Sequence, residues 1–303
     1  MTGGELIVGK AIASATSRLA ETVTSDKGTV KATLVEIARD TPQMKAAADA
    51  YASRIAIKES FLLRLYSPLA KVLRIGQDYL TDEFALDMAA KTANIPEESM
   101  ILPPANIAIP AMEGLVVSLD LPDLKEMYLN LLATATDSRR DEEAHPSYAE
   151  IIKQLSPREA QILVEALKRD AFAIVRLKAD HIDTSKGFNL LMEHLLDWHD
   201  NDSGNPVEEP LGSMFVENWV RLGLVTVDFS TFLIGDGVYD WVERRPEYIR
   251  FDADLRLHGL RTISYDRGGF RRTNFGLNFA SAVSPVSPVP TSTHSESDAE
   301  EST

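Results

Sequence analysis

Histidine and carboxylate side chains come closest together in the segment Glu193–Asp200, EHLLDWHD. His194 and Asp197 are three residues apart, a spacing that on a helix would let both side chains share a metal ion, with His199 closing the set. The spacing matches no standard zinc signature, and an acidic loop follows directly. The preferred interpretation is a solvated helix end, and a metal site at His194, Asp197 and His199 is the alternative.

A second candidate for chemistry is His145, which has Glu142, Glu143 and Glu150 near it in the sequence. A histidine beside a carboxylate suits acid–base catalysis. Here a His-Pro pair directly precedes a helix start, so we expect His145 to hold a loop by hydrogen bonding instead. The sequence contains no nucleophile elbow, phosphate loop, dinucleotide fingerprint or metalloprotease motif. These observations favour a protein that is not an enzyme and needs no cofactor.

Basic side chains gather towards the C-terminal end. The runs Arg261–Tyr265 and Gly269–Arg272 flank the turn-type residues Asp266–Gly268, so the sequence predicts a β-hairpin. This hairpin would carry a basic patch made of Arg261, Arg267, Arg271 and Arg272. The patch could contact nucleic acid, an acidic protein or the chain's own acidic tail. Because the formal net charge of −15 opposes binding to polyanions, a protein partner is preferred and nucleic acid is the alternative.

Composition restricts the compartment and the chemistry. The chain has no cysteine, which excludes disulfides, thiol nucleophiles and iron–sulfur clusters and agrees with a reducing compartment. No basic segment followed by a long apolar run marks a secretory signal. The uncharged run Ser99–Met112 contains three prolines and is too short to span a bilayer. We therefore expect a cytoplasmic protein without a transmembrane helix.

The N-terminal third has helical periodicity. One apolar stripe recurs every seven residues. Its members are Ala48, Ile55, Leu62 and Leu69. The pattern predicts helices that pack within one domain or, alternatively, a coiled-coil surface for self-association. The apolar stripe of Val8–Val23 leaves open a helix that lies on a membrane surface.

Helix boundaries are well marked in the middle of the chain. Pro103, Pro104 and Pro110 predict an extended connection or a short broken helix. Asp120-Leu121-Pro122 opens the next helix. Ser156–Glu159, with the sequence SPRE, is a capping box that starts a further helix.

The pattern changes after residue 170. Phe172–Lys178 alternates like a strand, Leu211–Leu222 has helical periodicity, and Leu224–Val227 predicts a strand before the hairpin. This order is typical of a winged helix. We predict a mainly α fold with a smaller α+β part, divided into an N-terminal helical region (1–93), core helices (94–155), a winged-helix-like module (156–283) and a disordered acidic tail (284–303).

Several stretches share their order and spacing with one known family. They are Asn94–Glu98, the Pro103-Pro104 pair, Leu124–Leu132, His145–Pro157, Asn218–Val225 and Thr273–Phe279. In these stretches the chain resembles the abortive infection alpha (Abi-alpha) family, a mostly helical bacterial group associated with phage resistance. The stretch Asp228–Gly259 is longer than the family pattern requires, and the resemblance supplies no catalytic residues.

The resemblance implies a role in bacterial antiviral defence. Since no catalytic motif accompanies it, we expect the protein to act by protein interaction or self-association. Two alternatives stay open. One is a winged-helix regulator that binds nucleic acid through the arginine patch, and the other is an effector that acts at a membrane surface.

Overall fold

The computed structural model describes residues 58–67, 83–183, 187–200, 203–259 and 261–285, together with positions 53, 55, 69 and 79. Ala48, the stripe of Val8–Val23 and the acidic tail beyond residue 285 lie outside the described residues. Contacts divide the described chain into two compact units. The first holds the described residues up to Ile109 and Leu129–Asp141, and the second holds Pro110–Tyr128 and Glu142–Ser284. The predicted division into four regions stays a prediction.

The first unit is built from helices around a small aromatic core. Residues 58–67 are helical, and helix α1 follows at Phe84–Lys91. Tyr66 is buried, its ring meets Phe84 edge-on at 5.0 Å, and its hydroxyl lies 2.6 Å from the Thr136 hydroxyl. Lys58 is also buried, and its ammonium group donates to the main-chain carbonyls of Thr92 and Ile95. These bonds satisfy a buried charge with oxygens at the end of α1.

The heptad stripe belongs to this interior. Ile55, Leu62 and Leu69 are 7%, 0% and 7% exposed within a single chain. Side chains this deeply buried cannot form a surface for self-association unless the unit opens. Their burial agrees with the interpretation in which the helices pack within one domain.

Two longer helices follow. Residues 101–104 are extended, helix α2 covers Ala105–Val117 with Pro110 inside it, and helix α3 covers Pro122–Thr136. The predicted extended connection is therefore shorter than the proline pattern indicated, while the start of α3 at Pro122 is confirmed. Within the described residues, no helix is long and apolar enough to cross a membrane.

Two short helices of the second unit follow, α4 (Ser147–Lys153) and α5 (Pro157–Leu167). The predicted capping box is confirmed. The Glu159 amide donates to the Ser156 hydroxyl at 3.2 Å, and the Ser156 amide donates to the Glu159 carboxylate at 2.8 Å. The other Glu159 oxygen accepts from Asn218 of the later helix α6 (Gly212–Arg221), so the cap also ties two helices together.

A four-stranded antiparallel sheet completes this unit, with strand order β2-β1-β4-β3. Its strands are β1 (Ala171–His181), β2 (Phe188–Leu195), β3 (Val225–Asp228) and β4 (Arg261–Arg272). Helix α7 (Pro246–His258) precedes β4, and helix α8 (Asn274–Val283) ends the unit. The mainly α fold with a smaller α+β part is confirmed.

The predicted hairpin at Asp266–Gly268 is wrong. These residues lie inside the continuous strand β4, which pairs with β1 along its whole length. Asp266 accepts from Arg176 at 2.7 Å and from Lys178 at 2.6 Å on the neighbouring strand, so its carboxylate serves a cross-strand ion pair. A Cβ on Gly268 would lie 2.6 Å from the Phe229 ring, so this glycine permits close packing rather than a turn.

One face of the sheet carries a hydrophobic core. There Val175, Leu177 and Leu195 pack with Tyr239 and Val242. The last two residues belong to the long stretch between β3 and β4, and Val242–Arg244 is a short 3-10 turn within it. The Tyr239 hydroxyl donates to the Gly268 carbonyl at 2.8 Å and accepts from the Leu233 amide at 3.1 Å. The stretch is thereby bonded directly to β4.

Candidate functional site: a tryptophan cleft beside strand β1

The predicted metal set does not come together. His194 lies in strand β2 rather than on a helix, and its ring stacks on Phe229 at 6.2 Å. Burial lowers the pKa of His194, and its Nδ1 has no hydrogen-bond partner among the described residues. Asp197 and His199 lie beyond the end of the strand, 3.7 Å apart. In the described part of the chain, no group of three histidine or carboxylate side chains is placed to hold a metal ion.

His145 serves the loop before α4. Its Nδ1 lies 2.7 Å from the Ser147 hydroxyl and accepts from the Ser147 amide at 3.2 Å. The ring also contacts Tyr148 and Phe275 at 5.6 Å and 6.0 Å. These contacts agree with the structural role expected from the His-Pro pair.

The four arginines of the predicted patch are distributed over both faces of β4. Residues of one strand alternate between the faces, so Arg261, Arg267 and Arg271 lie on one side and Arg272 on the other. Arg272 is occupied, because it donates to the Leu167 carbonyl and pairs with Asp170. Arg267 lies 5.3 Å from the Tyr239 ring centroid. The arrangement is a spaced row along a strand rather than a cluster at a hairpin.

A cleft of about 790 Å³ lies beside the start of β1. We call it the tryptophan cleft. It is lined by residues from α5, β1, the segment after β2, the stretch after β3 and one residue of β4: Gln161, Ile162, Glu165, Ala166, Lys168, Arg169, Ala171, Phe172, Ala173, Leu196, Asp197, Trp198, His199, Leu233, Val238, Trp241 and Phe270. Its volume falls within the range of pockets that hold ligands.

Two of the chain's three tryptophans, Trp198 and Trp241, belong to this lining. The Trp241 indole N–H donates to the Val238 carbonyl at 3.0 Å, which fixes the ring. The Trp198 ring meets the buried Trp219 edge-on at 6.5 Å. Trp198 also lies against the start of α6, where a Cβ on Gly212 would come within 2.8 Å of the indole nitrogen. Both rings are held in place while remaining partly exposed.

A buried arginine holds the segment that carries Trp198. Arg245 is fully buried and forms a bidentate pair with Glu247 at 3.1 Å and 2.9 Å. Its two terminal nitrogens also donate to the main-chain carbonyls of Trp198 and Val207. Asp197 lies 3.7 Å from the same guanidinium group. A buried charge with this many partners fixes the loop geometry at the cleft.

The charged groups at the cleft are unevenly matched. Glu165 pairs with Lys168, and Asp197 lies near Arg245 and His199. Arg169 is exposed and stacks on the Phe172 ring at 5.3 Å. Among the described residues no carboxylate pairs with Arg169, which leaves one uncompensated positive charge at the rim.

Sequence reasoning did not find this cleft. Its lining comes from five separated segments. Of these residues, the sequence pattern indicated a site role only for Asp197 and His199, as ligands of a metal ion. A usable signal was present in the two tryptophans that sit in polar segments, DWHD at 197–200 and YDWVE at 239–243. A large aromatic ring outside an apolar run is often part of a binding surface.

Comparison with known proteins gives one match. Residues 76–283 match the family model described as abortive infection alpha. No curated protein and no solved structure matches the chain. The matched range contains every residue that lines the tryptophan cleft.

Proposed function

Because the chain belongs to the abortive infection alpha family, we propose that it is a bacterial phage-defence protein that acts by binding another protein at the tryptophan cleft. The role is one of interaction rather than catalysis, and the setting is the cytoplasm. The observation that carries the proposal is the cleft itself, with two fixed, partly exposed tryptophans on its walls. Tryptophan and arginine are the residues that most often dominate binding energy at protein interfaces.

A phage challenge tests the proposal. Cells expressing the full chain are infected, and both plaque number and survival of infected cells are scored. Protection through abortive infection gives fewer plaques together with death of infected cells. Trp241→Ala and Arg169→Glu are then expected to restore plaques, because loss of an interface tryptophan costs roughly 2 kcal/mol of binding energy or more.

Two matched variants control for general damage. Phe188→Ala removes a half-exposed aromatic ring of the same sheet that does not line the cleft. Arg244→Glu reverses an exposed arginine that is likewise absent from the lining. Protection that survives both controls but not the cleft variants supports the proposal. Protection that survives Trp241→Ala and Arg169→Glu at normal protein levels contradicts it.

A second copy of the chain is one protein that the cleft could bind. Light scattering of the full chain, with and without Arg169→Glu, separates self-association from binding to a different protein. A shift from oligomer to monomer would identify the second copy as the partner. The heptad stripe does not support this alternative, because its described members are buried.

Nucleic-acid binding has one supporting observation. Arg261, Arg267 and Arg271 share a sheet face, and no carboxylate among the described residues pairs with them. A regulator of this kind would bind with an affinity that falls steeply with salt and depends on these arginines. The winged-helix-like module that suggested it stays a prediction, and its hairpin is wrong because β4 is one continuous strand. The membrane-surface alternative rests on residues 8–23 and stays a prediction.

A further inference from the structure

We infer that the tryptophan cleft takes an extended peptide segment as an additional β-strand, bonded to the open edge of β1 at Ala171 and Ala173, with an acidic residue of the peptide at Arg169. The inference rests on the proposed function and specifies its partner. It follows from the direction of main-chain groups in β1, from the path of the chain after β2, and from the charge at the rim.

The register fixes where each main-chain group of β1 points. The Arg272 amide donates to the Asp170 carbonyl at 3.0 Å, so residues 170 and 272 form a hydrogen-bonded pair between β1 and β4. Bonded and non-bonded pairs alternate in antiparallel strands. The amides and carbonyls of Phe172 and Ile174 therefore point towards β4. Those of Ala171 and Ala173 point the opposite way, towards the β2 side.

The amides and carbonyls of Ala171 and Ala173 have no hydrogen-bond partner in the described part of the chain. The pairing of β1 with β2 begins at Val175, opposite Leu195, and does not reach the first residues of β1. Just past β2 the Trp198 amide donates to the Leu196 carbonyl at 3.0 Å, a tight turn that diverts the chain. Arg245 then holds the Trp198 carbonyl in its diverted position. The gap that results is the tryptophan cleft.

An open strand edge of this kind favours one ligand geometry. Its amides and carbonyls repeat with the spacing of a strand, so an extended peptide can bond to all of them at once. Residues 171–174 span about 13 Å at roughly 3.3 Å per residue, enough for a short strand. Ala171 and Ala173 have small side chains, and Trp198 and Trp241 stand beside the edge to contact alternate side chains of the peptide.

Charge selects among peptides. The carboxylates of the lining, Glu165 and Asp197, already have cationic neighbours, whereas Arg169 has no carboxylate partner among the described residues. An acidic residue at the end of the bound segment would pair with the Arg169 guanidinium. The Phe172 ring would stay stacked on that guanidinium group. The favoured partner is thus an extended segment with alternating apolar side chains and an acidic flank.

Selection of peptides on the full-length protein tests this directly. A random peptide library is selected against the wild-type chain and, in parallel, against Arg169→Glu. Enriched sequences are expected to carry an acidic residue beside alternating apolar residues, and the acidic residue is expected to be lost from the selection on Arg169→Glu. Binding of a synthetic enriched peptide is followed by tryptophan fluorescence, since two of the three indoles line the cleft.

Two matched changes separate strand addition from side-chain binding. Methylation of alternate peptide nitrogens removes the donors of one edge while keeping every side chain. Ala173→Pro removes the donor that faces the cleft without removing a bond to β4. Each change is expected to weaken binding about ten-fold or more. Amide hydrogen exchange should show new protection of Ala171 and Ala173, with little change at Phe172 and Ile174.

The outcomes decide between the possible failures. Peptide binding that tolerates methylation and Ala173→Pro, without protection at Ala171 and Ala173, overturns strand addition and leaves the protein-binding function standing. Failure to enrich any peptide also overturns it. Loss of peptide binding in Ala173→Pro with unchanged phage protection supports the strand site and contradicts the proposed function of the cleft.

Discussion

The two halves of strand β1 differ in how they are bonded. From Val175 to Asp180 the strand pairs with β4 on one side and β2 on the other, whereas within the described part of the chain the residues before Val175 pair with β4 alone. The well-paired half lies over the core formed by Val175, Leu177 and Tyr239, and the other half borders the tryptophan cleft. One regular strand therefore supplies core packing at one end and an edge with unbonded main-chain groups at the other.

The difference is imposed from outside the strand. Both halves alternate their side chains in the same way, and both are bonded to β4 without interruption. What changes is the neighbour, because the tight turn at Leu196–Trp198 and the Arg245 anchor carry the chain away from β1. The site is therefore a property of the segment after β2 as much as of β1.

Removal of the Arg245 anchor is expected to cost the most stability. Arg245→Met leaves Glu247 buried without its partner and frees the carbonyls of Trp198 and Val207. Loss of one member of a buried pair costs about 3–5 kcal/mol. We expect urea unfolding to show a loss of this size. Arg245→Met combined with Glu247→Leu should recover part of it, and a loss below about 1 kcal/mol would show that the anchor does not hold the loop.

A pair of proline variants tests the two halves of β1 directly. Ala179 faces Asn189 of β2, and its main-chain groups point towards that strand, as those of Ala173 would if β2 continued. Ala179→Pro removes a ladder bond from a buried position and should cost about 1–3 kcal/mol. Ala173→Pro removes no bond and should cost less than about 1 kcal/mol. Equal losses in urea unfolding would contradict the assignment of Ala173 to an open edge.

The smallest expected effect concerns pH and lies at the end of β2. Burial lowers the pKa of His194, so the unfolded chain binds a proton more readily than the folded chain. The buried neutral histidine therefore costs no stability above the ordinary histidine pKa of about 6.5. Below that pH the free energy of unfolding falls, by at most about 1.4 kcal/mol per pH unit. His194→Phe should remove this decline in the free energy of unfolding between about pH 7 and about pH 5. An unchanged decline would place its origin in another group.

Local signals in the sequence predicted local structure well. The capping box at Ser156, the start of α3 at Pro122 and the strand at Phe172–Lys178 are all confirmed, because each depends on residues close together in the chain. The family was also recognisable from ordered stretches between residues 94 and 279.

Features that depend on distant residues were missed or misinterpreted. Asp266 and Gly268 have turn-type side chains, yet one bonds across the sheet to Arg176 and the other makes room for Phe229. His194 was placed on a helix because its spacing to Asp197 suited one, whereas the sheet determines its position. The cleft needs α5, β1 and two later segments to meet, and no short window of sequence contains that information.

The hydroxyl of Tyr239 has a consequence for how binding preference can diverge. The stretch between β3 and β4 supplies one wall of the cleft through Leu233, Val238 and Trp241, and Tyr239 fastens it to a main-chain carbonyl of β4. A carbonyl is present whatever the side chain, so the attachment places little demand on the sequence of the sheet. This wall can therefore be exchanged for another only if Tyr239 and Val242 keep their packing on Val175, Leu177 and Leu195 and Gly268 keeps its room for Phe229.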